Sequence, residues 1–477
     1  LIKNMFKKTK VVATLGPSCS EDSTIRKMVE NGVDVFRINF SHANHKNVEK
    51  KIKIIRSISK KLKVNISILA DLQGPKLRIG LVDDGSFLKV NDEFDLYNTN
   101  KFTGNSKKAF INYAKFASDV NVGEKVLLDD GKIILEIKST NKKDYVKSKV
   151  IQGGELKSKR GVNLPNTKIS LPALTDKDIS DVIFAINNGV DWIALSFVRN
   201  QSDLVKLKEI IEEKSNHRIP IIAKIEKPEA IENIDEIIKN CDGIMVARGD
   251  LGVEVPAADV PLLQKKLVIK AKKQRIPVII ATQMMETMIN KPTATRAEVN
   301  DVANSVMDGA DAVMLSGETS IGKYPVEVVK TITSILKKVE NSPLIKVALK
   351  PPNVRTKRFI TKSVCYHAAV MSNEIDARAI CTLTNSGYTA FQISSWRPNS
   401  NILVFTSNKR ILSQLNLLWG VKSFFYDKFE STDNTIEEVN SIAKKEGYIK
   451  EGDMLINLAS MPISNKGMVN TMRISQL

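Results

Sequence analysis

The sequence predicts an α/β protein built mainly as a (β/α)8 TIM barrel with an inserted all-β domain and a C-terminal α/β domain. Three observations carry that reading. Short apolar strands alternate with helical patterns, the signature of parallel β/α architecture. There are eight such strands before residue 320. Polar and charged residues recur where those strands end, the rim at which barrel enzymes place their chemistry.

Taken in order, KVVATLGP (10–17) is the first strand and a helix spans 21–31. VFRINFS (35–41) precedes a helix over 44–62, and SILADL (67–72) follows. DWIALSF (191–197) leads to a helix over 201–214. PIIAKIE (220–226) leads to a helix that Pro228 opens, since proline's missing N–H is not needed at the first helical position. DGIMVA (242–247), PVIIAT (277–282) and DAVML (311–315) complete the set, with helices over 257–273, 295–306 and 325–340.

Residues 75–171 break this rhythm with β-type patterns such as KVLLDDGKIILEI, in which Asp130-Gly131 reads as a hairpin turn. The chain returns to the barrel through GVNLPNTKISLPALTDKD, so residues 1–74 and 172–342 form the barrel and 75–171 a small β-barrel insertion. A stiff linker at Lys350-Pro351-Pro352-Asn353 precedes ARAICTLT, NILVFT and DMLINLA, strands of a further α/β domain over 343–477.

Composition narrows the function classes. The 477 residues are 42% hydrophobic and 26% charged, a globular balance that excludes wholesale disorder. Net charge is +19, which alone points to nucleic acid or an anionic surface. Only 16 of the 72 basic residues are Arg, however, and Lys is spread through every region while aromatics are only 6%. A nucleic-acid surface gathers both on one element, so no nucleic acid partner is expected. Cys19, Cys241, Cys365 and Cys381 are far apart with no C-x-x-C spacing, which argues against disulfides and thiolate metal sites. His42, His45, His217 and His367 show no metal-ligand spacing either. No long apolar run occurs and the basic N-terminal stretch lacks a signal-peptide core, so a cytoplasmic protein without a membrane partner is expected.

The strand ends carry the chemistry. Arg37, Asn39 and Ser41 alternate onto one face of the second strand, as do Lys224 and Glu226 on the fifth. Glu226 and Asp250 are carboxylates on adjacent strand ends, a pair that suits Mg²⁺, which takes one or two protein carboxylates and completes its shell with water and substrate oxygens. Arg37, Arg78 and Lys224 around such an ion make a site for a phosphorylated anion, Arg by its bidentate fork and Lys as a point charge. The amides of Gly249 and Asp250 can hold a carboxylate at a helix N-terminus. Each group taken singly is most often a solvated or paired strand end, and Lys224 with Glu226 reads equally as a structural ion pair; convergence on one rim is what favours a site. GETSIGK (317–323) matches a phosphate-loop pattern, but Tyr324 stands where the Mg²⁺-binding Ser or Thr belongs.

RINFSH (37–42), KIE (224–226), MVARGDLG (245–252), ATQMMETM (281–288), KPTATRAEVNDVAN (291–304) and MLSGET (314–319) resemble pyruvate kinase in order and spacing, from about residue 8 to the C-terminus. The resemblance implies transfer of the phosphoryl group of phosphoenolpyruvate to ADP, giving pyruvate and ATP in the last step of glycolysis. It implies Mg²⁺ (or Mn²⁺) on Glu226 and Asp250, Lys224 and Arg37 at the phosphoryl group, and Thr282 beside the enolate. Ser196, Gly249 and Asp250 would complete the substrate pocket, and Arg78, Arg160 and Asn163 would meet the nucleotide or a second metal. The inserted domain becomes a lid that excludes water, the last domain a regulatory one, and the assembly a homotetramer.

Many members hold K⁺ at positions matching Asn39, Ser41, Asp71 and Leu72. Those members carry Thr-Lys-Gly-Pro-Glu where this chain has Leu72-Gln73-Gly74-Pro75-Lys76. Lys76 in place of Glu resembles the K⁺-independent branch, one fixed charge replacing a bound one, so K⁺ is not expected to be required. Thr384, Ser386 and Thr389 lie in a segment that lines the family's allosteric sugar-phosphate pocket; a simple helix cap reads the same residues equally well. The stretch Met461–Gly467 lacks the basic and aromatic residues of members that respond to fructose-1,6-bisphosphate. The competing readings are a metal-dependent barrel aldolase, which needs neither the insertion nor the Arg37–His42 loop, and a catalytically dead barrel, disfavoured because every matched position is filled.

Overall fold

The computed structural model describes residues 6–342, 351–352, 358–428, 431–462 and 468–477, so Lys350 and Asn353 of the linker and residues 463–467 of the closing stretch lie outside it. Eight parallel strands close into a barrel: β1 (Lys10–Thr14), β2 (Val35–Asn39), β3 (Ser67–Asp71), β4 (Trp192–Leu195), β5 (Ile221–Ile225), β6 (Gly243–Ala247), β7 (Val278–Ala281) and β8 (Ala312–Leu315). Neighbours in the ring follow chain order, and β8 pairs with β1 to close it.

The strands are apolar on both faces because each is covered twice. Val12, Val35, Leu69, Trp192, Ile222, Met245 and Ile279 fill the interior, while Val11, Ala13, Phe36, Ile68 and Ile280 pack outward under the helices. Register brings the strand ends level: Thr14 pairs with Arg37, Asn39 with Asp71, Asp71 with Ala194, and Ala247 with Ala281. Local signals agree with this packing. Asn44 caps the helix His45–Leu62, and a Thr175–Asp178 capping box starts Asp176–Asn187.

Between β3 and β4 the chain builds a second core around Phe94, Leu96, Phe116, Val126, Leu135 and Val146. Its six-stranded sheet runs Val162–Asn163, Lys125–Leu128, Ile133–Thr140, Tyr145–Gln152, Glu93–Tyr97 and Lys108–Phe110. Arg78 bridges Gly161 on one edge of that sheet and Ile79 bridges Ile111 on the other, so the chain leaving β3 ties the edges together. The turn at Asp130-Gly131 is wider than a two-residue hairpin. Leu128 and Ile133 form the last pair, and Asp129, Asp130 and Gly131 all take positive φ (50°, 57° and 84°). Asp tolerates that region, which lets the turn widen.

The C-terminal domain is a five-stranded sheet in the order Val421–Phe425, Asn401–Thr406, Ala379–Leu383, Met454–Ala459, Thr471–Gln476, with only the last strand antiparallel. The two outer strands escape the sequence pattern because they are edges, only partly buried. This domain covers the N-terminal end of the barrel: Leu417 joins the interior cluster, and Trp192 Nε1 donates to the Gln414 carbonyl at 3.0 Å. The opposite end, where the strands finish, stays open toward the insertion.

Candidate active site

At that open end the ends of β2, β3, β4 and β5 bring five polar side chains together, those of Arg37, Asp71, Ser196, Lys224 and Glu226. Arg37 is only 9% exposed; its Nε donates to Asp71 Oδ2 at 2.6 Å and its Nη1 to Thr14 Oγ1 at 3.1 Å. Asp71 turns its other oxygen toward the Lys224 ammonium, 3.2 Å away. Lys224 donates to Ser196 Oγ at 2.6 Å, and Ser196 in turn donates to the Leu72 carbonyl at 2.6 Å. Glu226, fully buried, accepts from the Phe197 amide at 2.8 Å through Oε2. Its Oε1 lies 3.0 Å from Lys224 Nζ but off the hydrogen-bond direction, which leaves that oxygen without a hydrogen-bond partner.

Burial and neighbours set the charge states. Burial alone would lower the Lys224 ammonium, but Asp71 and Glu226 beside it raise it above the ordinary lysine range. Burial would raise the Asp71 carboxyl; Lys224 and Arg37 overcome that and hold it below the usual range. Glu226 is pushed up, by burial first and by the Asp250 charge. A carboxyl that stays raised beside the Lys224 ammonium, with one buried oxygen that no donor bonds, has room for further positive charge, so the residues fit a hard divalent cation. Among the described residues no group of three or more His, Cys, Asp or Glu gathers as a metal centre. A divalent ion here would therefore have Glu226 and Asp250 as protein ligands and oxygens of substrate and water for the rest.

The β6 and β7 ends add a second wall. The helix Arg248–Glu254 starts directly from β6, and its Gly249 amide donates to Thr282 Oγ1 at 2.7 Å. Thr282 and Gln283 take positive φ, 69° and 55°. For β-branched Thr282 that is a true outlier, costing on the order of 1–3 kcal/mol and kept only where the surroundings impose it. Phe197, just past β4, has φ 54° for the same local reason: the chain turns sharply off a strand end. Arg248 belongs to the scaffold, since it grips Asp301 bidentately at 2.6 and 2.7 Å.

The remaining expected residues separate. Arg78 and Arg160 line a cavity of about 570 Å³ with His42, Lys76, Lys159, Asp129 and Asp130, between insertion and barrel mouth. Asn163 instead donates to Glu254 Oε1 at 2.8 Å, the oxygen that also pairs with Lys227 at 2.7 Å. Of the monovalent-ion positions, Asn39 Oδ1 caps its own turn by accepting from the Ser41 amide at 3.1 Å, and Asp71 is committed to Arg37 and Lys224. Lys76 makes no hydrogen bond or ion pair with Asn39, Ser41 or Asp71; it faces the cavity beside Arg78. Thr384 Oγ1 accepts from the Gly387 amide at 3.0 Å, where φ is +81°. Thr389 is buried on Thr382 at 3.2 Å, and Ser386 is exposed. Thr384 therefore caps the loop before Tyr388–Trp396.

Sequence reasoning missed Thr14, which steadies Arg37, and Asp178, whose Oδ1 accepts from the Gly74 amide at 3.0 Å. It also missed the Lys227–Glu254 pair. The signal for Thr14 was present, one more hydroxyl at the end of a strand; Lys227 and Glu254 are a loop residue and a helix end that only the tertiary fold unites.

The chain matches the family models "Pyruvate kinase, barrel domain" over residues 6–329 and "Pyruvate kinase, alpha/beta domain" over residues 362–475. It is 40% identical over 473 residues to a pyruvate kinase of Corynebacterium glutamicum, covering 99% of this chain and 98% of that one. It is 39% identical over 470 residues to a Staphylococcus haemolyticus pyruvate kinase, 98% of this chain and 80% of the relative. A crystal structure of a pyruvate kinase from Cryptosporidium parvum superposes with TM-score 0.92 at 32% identity, covering 99% and 97% of the two chains.

Proposed function

The chain belongs to the pyruvate kinase family, and from that premise we propose how its barrel mouth transfers the phosphoryl group of phosphoenolpyruvate to ADP. Arg37 and Lys224 grip the phosphoryl oxygens and meet the charge that spreads over them in flight. Phosphoryl transfer asks little covalent work of a protein, so placing these cations is most of the catalysis. The observation that carries the reading is Lys224: a buried ammonium fixed by Ser196, Asp71 and Glu226 at 2.6–3.2 Å, and so fully charged.

Mg²⁺ on Glu226 and Asp250, when bound, supplies charge neutralisation at the carboxylate and phosphate of the substrate. The Asp250 amide orients the substrate carboxylate at the start of the helix, while the Gly249 amide holds Thr282 Oγ1. Thr282, held in place by the Gly249 amide, takes part in delivering a proton to the methylene carbon of the enolate. Arg78 and Arg160 in the large cavity receive the nucleotide phosphates, and residues 75–171 close over both substrates as a lid. From the wall of the Arg78 cavity, without a hydrogen bond or ion pair to Asn39, Ser41 or Asp71, Lys76 supplies the charge for which other members recruit K⁺, so turnover proceeds in Na⁺ alone. Homotetramer assembly, regulation through Thr384–Thr389 and a cytoplasmic location are further expectations that membership of the family raises.

The test is a coupled assay for pyruvate from phosphoenolpyruvate and ADP, with Mg²⁺ and K⁺ each present or omitted. Turnover should vanish without Mg²⁺ and persist without K⁺; a strict K⁺ requirement would refute the role of Lys76. Lys224→Ala should abolish turnover with the fold intact by circular dichroism, and unchanged activity would refute the mechanism.

A further inference from the structure

At the opposite end of the barrel, where the C-terminal domain docks, buried positive charge is left without balance. Arg397 is buried between the domains: its Nη2 donates to the Gly309 carbonyl at 2.7 Å and pairs with Asp311 Oδ1 at 3.0 Å. Its Nε and Nη1 have no partner. Lys272, at the end of the helix before β7, packs its ammonium against Gly309 and makes no hydrogen bond or ion pair. Arg275 lies over the Trp396 ring at 3.2 Å and reaches Ser395 Oγ at 3.1 Å. These side chains line one small cavity, with a volume of about 10 Å³.

Charge bookkeeping shows what the cavity wants. Lys8, from the strand-leading segment before β1, shares the Trp419 ring with Arg397 at 4.9 and 4.6 Å. Four cations (Lys8, Lys272, Arg275 and Arg397) face two carboxylates, Asp311 and Glu340; Asp308, whose charge also reaches Lys272, is already paired with Lys265, and Lys8 Nζ donates to the Pro398 and Asn399 carbonyls at 3.0 and 2.6 Å. Both carboxylates are already engaged: Asp311 Oδ2 accepts from the Val278 amide at 2.9 Å, and Glu340 from the Lys8 and Thr9 amides at 2.8 and 2.5 Å. Around the cavity itself the unsatisfied buried atoms are donors, Arg397 Nε and Nη1 with Trp396 Nε1 beside Arg275. Burial first, and the Arg397 charge after it, lower Lys272 to about 7 and Lys8 to about 8.

We propose that this cavity is a binding site for a small inorganic anion of halide size, held by Arg397 and Lys272 between the barrel floor and the C-terminal domain. An acceptor-only occupant satisfies Arg397 Nε and Nη1 and Lys272 Nζ together, and one unit of negative charge halves the surplus. The cavity admits an occupant on the scale of one water, which excludes a phosphate ester or a nucleotide. The anion joins residues of both domains, so it stabilises their docked arrangement without touching the phosphoryl-transfer site, which lies at the other end of the strands.

Thermal unfolding of the full chain in sodium chloride against sodium gluconate, at equal ionic strength and pH 7, tests this. Chloride should raise Tm by roughly 2–4 °C, saturably. In Lys272→Gln, which leaves the Arg397–Asp311 pair in place, the rise should be lost. Crystals grown with sodium bromide should show an anomalous peak between Arg397 and Lys272. Equal Tm in the two salts, a chloride effect undiminished in Lys272→Gln, or water in place of bromide would each overturn the proposal.

Discussion

Asp71→Asn is the sharpest test of the barrel mouth, because it changes one charge and no shape. In the native chain Asp71 accepts from Arg37 at 2.6 Å and faces Lys224 at 3.2 Å, with its side chain 1% exposed. At an effective dielectric near 20, a unit pair at that second separation interacts by about 5 kcal/mol. Removing one partner of a buried pair costs about 3–5 kcal/mol, since the other charge stays behind. The asparagine amide also turns N–H groups toward a guanidinium or an ammonium, where only acceptors fit. If about 3 kcal/mol of this reaches the transition state, kcat/KM falls ~10²-fold, carried mainly by kcat because Lys224 and Arg37 lose their aim. The coupled pyruvate assay measures this, and thermal melts separate it from unfolding. A second signature is the acid limb of stability. The Asp71 pKa is depressed in the fold, so its contribution is complete above the unfolded value near 4 and is lost as pH falls through the lower folded value. The variant should show a shallower loss below about pH 4. A folded Asp71→Asn enzyme within threefold of the parent kcat/KM would refute the reasoning.

Asn163→Ala cuts a side-chain bond from the insertion to Glu254; the KM for ADP should rise about tenfold with melting unchanged, since a lost neutral–charged hydrogen bond is worth ~1.5 kcal/mol. An unchanged KM would show that Asn163 does not set the lid. Thr282→Ser keeps the hydroxyl on Gly249 and should retain activity within a factor of ten, whereas Thr282→Val should lose ~10²-fold or more. Equal rates for the two, measured as pyruvate formation and as exchange of pyruvate methyl protons in D₂O, would remove Thr282 from the proton path. Lys10 is buried, with its pKa lowered to about 7 by burial. The unfolded chain binds the extra proton between that value and about 10.4, so this group makes stability rise with pH across that window. Lys10→Met should raise stability at pH 7 by on the order of 3 kcal/mol and flatten the rise. A guanidinium midpoint that moves identically with pH in both proteins would contradict it.

The barrel was legible because its strands are buried on both faces and read as short apolar runs at regular spacing. The placement of Arg37, Lys224, Glu226 and Thr282 at one end of the barrel was legible for a related reason: apolar strands that end in polar or charged residues advertise a rim. Legibility fails where a residue's meaning depends on what crosses from elsewhere. Asn163 is a turn residue in sequence, and only the fold carries it to Glu254. Asp71 reads as an ion ligand until Arg37 from β2 and Lys224 from β5 arrive on both its oxygens. The positive φ of Thr282 leaves no trace in sequence, because nothing in a threonine signals the left-handed region.

The lysines of this chain show how one residue type is turned to opposite ends by its surroundings. Lys10, Lys272 and Lys224 are all largely buried, and desolvation pushes each toward neutrality. Lys10 has Asp34 at 4.0 Å, a carboxylate that already pairs with Lys7; Lys272 has only the field of Asp311 and Asp308. Both fall. Lys224 has Asp71 and Glu226 at 3.2 and 3.0 Å, and it rises. Two close carboxylates therefore decide the sign. The direction of that shift fits the proposed role of Lys224 as a fixed positive charge beside the phosphoryl group. The proposed proton path to the enolate lies instead on the hydroxyl side of the pocket, where Thr282 stands at φ 69° in contact with the Gly249 amide.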